Sequence, residues 1–231
     1  DAGNWEGGMR PANGDHVIMD AADVPNPSMV WDYEATLGSF RVQGALPSGA
    51  VSFSSPVVIT GDLVNESGGT TLAFFHPDQM SRLEGPVTLS GPFAVEAGTV
   101  VAVGSITVNA ASLAVRNTGL LRGSSIRVAD PAGALIMSRD PESPGSPVIE
   151  GASAESPLAL IVDGILSLST GTLRSLSAEG LQIGPTATLD DLSNITLEGP
   201  TAPGGSGIRF TGEAIFVSTF TGIRFSLTDV G

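Results

Sequence analysis

Residues 100–128 read VVAVGSITVNAASLAVRNTGLLRGSSIRV, and this stretch decides the fold. Apolar residues alternate with small or polar ones in short runs, as in Ile106-Thr107-Val108, Leu113-Ala114-Val115 and Ile126-Arg127-Val128. A period of two is that of a strand with one buried face, and the Gly, Asn and Ser between the runs mark bends. The segment Ser105-Ile106-Thr107-Val108 returns as Ser125-Ile126-Arg127-Val128, and Val148-Ile149 falls near the next step. Recurrence at about that spacing is the signature of a solenoid, in which equivalent strands of successive coils stack.

The same texture runs outward from this window. Val57-Val58-Ile59, Val87-Thr88-Leu89, Leu158 to Val162 and Ile195-Thr196-Leu197 repeat it. Gly207-Ile208-Arg209-Phe210 returns letter for letter at Gly222 to Phe225, and the two copies are expected to stack in successive coils. Helical spacing is nowhere sustained, so helix is limited to a turn or two, for example around Pro77 to Leu83. The fold class expected is all-β, a single-stranded right-handed parallel β-helix. The alternative is an antiparallel β-sandwich, which would need hairpin turns between its strands. Only Asn13-Gly14 and Asp163-Gly164 offer that signal. Residues 1–36, rich in Gly, Pro, Asn and Asp, read as an N-terminal arm or cap with one short strand at His16 to Met19, and residues 37–231 as the solenoid. A Pro- and acid-rich stretch near 140–157 reads as an excursion from it.

Composition narrows the function. The chain of 231 residues holds 30 Gly and 16 Pro, is 41% hydrophobic and only 15% charged, so it can build a packed core of small aliphatics. Lysine is absent and the formal net charge is -14, which repels a phosphate backbone and excludes nucleic acid as a partner. Cysteine is absent too, so no disulfide framework or thiolate chemistry is available. No run approaches the roughly 18 apolar residues of a membrane helix; the best, Leu158 to Leu168, is broken by Asp163 and Gly164. A first residue of Asp1 with no initiator Met suits a mature product after signal-peptide removal, so an extracellular or cell-surface location is expected.

Trp5, Pro11, Gly14-Asp15, Val17 and Ile18, followed by Leu37-Gly38 and Val42, Gly44, Ala45 and Leu46, resemble the start of secreted β-helix proteins, including those with the eight-glycine extracellular domain. The rest is similar in texture to pectin-lyase-like and haemagglutinin-like solenoids. The resemblance implies an extracellular right-handed helix capped by the Trp5 segment, with a role in adhesion or polysaccharide contact. It carries over no catalytic residue.

Few side chains invite chemistry. Asp190-Asp191 is similar to the paired aspartates of polygalacturonase-like hydrolases, but no His-Gly or Arg-x-Lys follows and neighbours in a strand point to opposite faces. A solvated turn is the better reading. His16, between Asp15 and Asp20, and His76, near Asp78, lack the spacing of a zinc site and read as surface histidines. Gly68-Gly69 and Gly204-Gly205 read as turns. Asn65-Glu66-Ser67 and Asn194-Ile195-Thr196 match the glycosylation pattern, with Asn194 better placed at a corner. The acids Asp140, Glu142, Glu150 and Glu155 offer at most a weak Ca2+ site. No catalytic, cofactor or metal residue is assigned, and no enzyme activity is expected.

The ends are more informative. A solenoid exposes unpaired N–H and C=O groups at each end unless something covers them. Ile208 to Val230 holds four of the nine Phe, no Lys and no Pro, and it ends within a strand pattern. The expectation is a secreted structural subunit of an extracellular filament or surface layer, assembling head-to-tail through strand edges. Trp5 of the arm and Phe210, Phe216, Phe220 and Phe225 would form the contact. The alternative is a carbohydrate-binding or polysaccharide-degrading β-helix protein.

Overall fold

A computed structural model describes residues 9–20, 28–44, 49–153, 155–198, 205–212, 215–216 and 220–226. They form an all-β solenoid of about 8 turns, with no helix among them. Every pairing between strands is parallel, so the antiparallel sandwich is excluded. The lone antiparallel contact is a bridge between Ser153 and Ser156 in a loop.

Each coil contributes three strands. The first face is a 9-stranded sheet that climbs from His16–Asp20 through Ser39–Gln43 and Ile106–Val108 to Ile208–Phe210. The second and third faces belong to one 16-stranded sheet, because Thr70–Leu83, Phe93–Ala102 and Ser112–Gly123 each run through the corner between them. Left-handed residues turn that corner in several coils: Asp78 (φ 61°), Gly98 (φ 81°), Asn117 (φ 53°), Asn194 (φ 52°) and Gly222 (φ 66°). Gly, Asn and Asp tolerate this conformation best, so the punctuation seen in the sequence has a geometric cause.

Alternation places every second residue inside, and interior residues stack in columns. Trp31, Phe53, Phe74, Val95 and Val115 are vertical neighbours. The Phe53 and Phe74 rings lie 4.6 Å apart and nearly parallel. At roughly 25 cal/mol per Å² of apolar surface buried, these columns are the main source of stability.

Several expectations require correction. Ile106 does pair with Ile126 and Val108 with Val128, but the next step of that column is Leu160 and Val162. Val148 and Ile149 instead stack on Leu120 and Leu121 on the third face. The two Gly-Ile-Arg-Phe copies do not stack either. Ile208–Phe210 lies over Leu181–Ile183 on the first face, and Arg224–Ser226 over Thr196–Glu198 on the third. Their spacing is shorter than any coil, so both belong to the last one.

Pairing begins at His16 rather than at residue 37, since the presumed arm supplies His16–Asp20, Met29–Trp31 and Ala35–Leu37 to the first coil. Pro77 to Leu83 is extended, with Arg82 and Leu83 in register with Val58 and Ile59, so the pairing overrides a helical turn. The excursion is two loops flanking the strand Val148–Gly151. Asn117 Oδ1 accepts the Asp140 N–H and anchors the first loop to the coil below.

A glycine column marks the third-to-first corner. A Cβ on Gly61 would strike the carbonyl oxygen of Gly38, one on Gly85 that of Gly61, and one on Gly104 that of Gly85. Gly85→Ala is therefore expected to cost about 1–3 kcal/mol, the usual penalty for overpacking. Gly68→Ala, with no atom within 4 Å, should be near neutral. Thermal unfolding of the two variants checks the contrast.

Candidate functional site

Two of the interior columns end on phenylalanines whose side chains are described. On the last coil Phe210 continues the column of Ile183, and Phe225 that of Leu197. By backbone register Phe216 follows Leu189 and Phe220 follows Leu192. Ile183 is 0% and Leu197 3% exposed, whereas Phe210 is 44% and Phe225 63% exposed. The change arises because among the described residues no further layer pairs with Ile208–Phe210 or Arg224–Ser226. All four phenylalanines expected at an assembly contact thus share one layer. Trp5 lies outside the described residues.

Charge at this end is sparse. Arg209 pairs with Glu179, while the exposed Arg224 has no ion pair among the described residues.

The opposite end is closed. Val17, Met19, Trp31 and Leu37 of the first coil are all buried. Trp31 stacks on Tyr33 at 4.7 Å and donates its indole N–H to the Tyr33 carbonyl at 2.8 Å. The Arg10 guanidinium lies 5.1 Å from the Tyr33 ring centroid, at cation–π distance. Burial raises the pKa of the Tyr33 phenol above its ordinary value, with Arg10 opposing in part. Beside this lid, Asn13 Oδ1 accepts the Thr36 N–H at 3.1 Å, the Gly14 N–H donates to Thr36 O at 2.8 Å, and the Gly38 N–H donates to Asp15 O at 2.8 Å. Asn13-Gly14 is therefore not a hairpin turn. It covers the outer edge of the strand Ala35–Leu37.

Asp190 and Asp191 sit within the strand Thr188–Ser193, not in a turn. A register shift there, with Leu166 opposite Leu189 but Ser167 opposite Asp191, keeps Leu189 and Leu192 inside and Asp190 on the surface. Asp190 accepts from the Ser167 hydroxyl at 2.9 Å. His16 is exposed and shares a 2.8 Å hydrogen bond with Ser39 Oγ.

Asn65 is fully buried, and its amide donates to Thr70 O and Pro92 O, so the folded protein offers no acceptor nitrogen for a glycan there. Asn194 is an exposed corner residue. Gly68-Gly69 is a turn, and Gly204 lies outside the described residues.

Glu150, 5% exposed, is gripped from the coils on either side by Arg122 and Arg174. Its carboxylate is thereby taken, and among the described residues no three acids or histidines converge on a metal position. Sequence reading missed this ladder because its members lie a full coil apart. It also missed the Tyr33 lid, which no pattern announces.

His76 corrects the surface reading. It is 0% exposed and lies inside the corner of the third coil. Ser81 Oγ accepts the Val57 N–H at 3.1 Å and shares a 2.9 Å hydrogen bond with His76 Nε2. Nδ1 has no aligned partner. Burial lowers the pKa of the imidazole below its ordinary 6.5, the nearby His76 and Gln79 carbonyls opposing only in part.

No family model, curated protein or solved structure matches this chain, so the resemblance drawn from Trp5 to Leu46 gains no support beyond the parallel β-helix itself. Among the described residues no helix is long and apolar enough to cross a membrane.

A buried imidazole whose folded-state pKa is depressed binds its proton more readily when unfolded. Stability should be fully present above about pH 6.5 and fall as the pH drops below it. Melting temperatures at pH 7.5 and pH 5 are expected to differ more for the wild type than for His76→Gln, which removes the titrating ring. Equal losses would assign the acid sensitivity to other groups.

Proposed function

We propose that the protein is a structural subunit of an extracellular filament or surface layer, in which copies stack head-to-tail through strand edges and apolar end residues. The observation that carries this reading is the last described layer, where Phe225 and Phe210 end two core columns with 63% and 44% exposure. The extracellular setting rests on the family resemblance of the first fifty residues. A chain with only 15% charged residues and small side chains suits close stacking of like on like.

Magnitudes set the terms of this contact. Covering the exposed parts of the two rings contributes about 1–2 kcal/mol each, and each strand hydrogen bond a net 0.5–1.5 kcal/mol. Association costs on the order of 4–15 kcal/mol in lost rotational and translational freedom. A single junction is therefore weak, and assembly belongs to concentrated protein or to surfaces that hold copies together. A net charge of -14 on each copy adds repulsion that salt screens.

Sedimentation and negative-stain microscopy of concentrated protein held for days test the reading. Linear oligomers are expected, growing in abundance from 10 mM toward about 150 mM salt as the Debye length shortens. Phe225→Asp, which places a charge on the end layer, should abolish them without lowering the melting temperature by more than a few degrees. Monodisperse particles at every concentration and salt level would reject the proposal.

A further inference from the structure

The N-terminal clasp occupies the place a neighbouring copy needs. On the proposed stacking, the last third-face strand of one copy, Arg224–Ser226, would lie along the outer edge of Ala35–Leu37 of the next. That edge is already engaged: Thr36 has its N–H bonded to Asn13 Oδ1 and its carbonyl to the Gly14 N–H. The bond from the Gly38 N–H to Asp15 O repeats one coil earlier the bond from the Gly61 N–H to Gly38 O. Gly14 also extends the glycine column, since a Cβ on Gly38 would approach the Gly14 carbonyl oxygen. Residues 13–15 thus imitate a strand and corner of a coil that precedes the first.

We infer that Arg10 to Asp15 form an autoinhibitory clasp, which holds the N-terminal end closed against the C-terminal layer of a second copy until it is displaced. This inference rests on the stacking reading above. Two observations commit the seat to a second copy's last coil. The first is register. Ala35 heads the column that runs through Val57 and ends at Leu197 and Phe225, so continuation would place the large Phe225 of one copy against the small Ala35 of the next. The second is charge. Residues 1–38 hold seven acids and one Arg, whereas residues 199–231 hold two acids and two Arg, so head meets tail with less repulsion than head meets head.

The clasp is built to yield. Asn13, Gly14 and Asp15 are exposed, and the segment is held by few bonds and one exposed cation–π contact. Segments with so little burial open at low cost.

The test uses the full chain. Asn13→Ala with Gly14→Val removes the Asn13 acceptor and places a branched residue at φ +89°, where nothing crowds it but the backbone conformation is strained. In light-scattering time courses at equal concentration, the lag before assembly should shorten about tenfold, the scale of one or two lost hydrogen bonds. Arg10→Ala, which touches only the lid, should shorten it about two- to fivefold. Adding Phe225→Asp to the double variant should abolish assembly. Loss of protection from hydrogen exchange at the Thr36 amide, with unchanged circular dichroism, identifies the opened clasp on a folded protein. Equal lags for wild type and both clasp variants would overturn the autoinhibition and leave the stacking reading standing. Failure of every form to assemble would overturn both.

Discussion

A parallel coil cannot satisfy its own backbone. Each strand of this solenoid has its N–H and C=O groups directed along the axis, and they find partners only in the coil above and the coil below. The interior shares that dependence, because Leu197 or Ile183 is covered by the residue stacked on it as much as by those across the core. Coils therefore stabilise one another in nearest-neighbour fashion, and among the described residues the first and last coils each have a side with no further coil against it. Everything distinctive in the molecule lies at those two sides or at the corners that keep the coils in register.

Where the interior departs from aliphatic packing, polar groups are matched locally. The third coil buries Asn65, Ser67, Thr70, His76 and Ser81. Asn65 bonds Ser67 N, Thr70 O and Pro92 O, and Ser67 Oγ bonds Thr70 Oγ1, so this cluster closes on itself and on the coil above. Ser81 serves both the Val57 amide and the His76 ring. Nδ1 of His76 has no hydrogen-bond partner there, and burial of the ring disfavours its protonation.

Much of this was legible in the sequence. The pairing of Ile106-Thr107-Val108 with Ile126-Arg127-Val128 follows from alternation and spacing alone, and so does the lack of any sustained helix. What escaped was register, for a physical reason. Coil length is not constant: the first-face column advances by twenty residues from Ile106 to Ile126 and by 34 from Ile126 to Leu160, because the corner loop after Ser138 and the loop after Gly151 intervene. Identical tetrapeptides at Gly207 and Gly222 could then occupy two faces of one coil, since each face asks for the same alternation. Phe210, Phe216, Phe220 and Phe225 were visible as a cluster, but their common layer needed the register. The burial of His76 escaped because Pro77, Asp78 and Gln79 beside it are exposed and look like a surface loop.

The surface sets the range of the proposed end contact. Six of the seven ion pairs among the described residues join adjacent coils, among them Arg41 with Glu66, Arg116 with Glu96, and Arg122 and Arg174 with Glu150. Arg, with its broad fork of donors, can reach across the spacing between coils while its stem lies along the sheet. The arginines are thus largely consumed in binding coil to coil, and the surplus of carboxylates faces solvent. Two such bodies repel one another at a distance, and beyond about 8 Å at physiological salt that repulsion is screened. On the proposed stacking, attraction between copies would be left to the groups that meet only at contact: strand edges and the exposed rings of Phe210 and Phe225. In that proposed arrangement, an end that offers those groups while the other end covers its own would make association directional without a dedicated charged surface among the described residues.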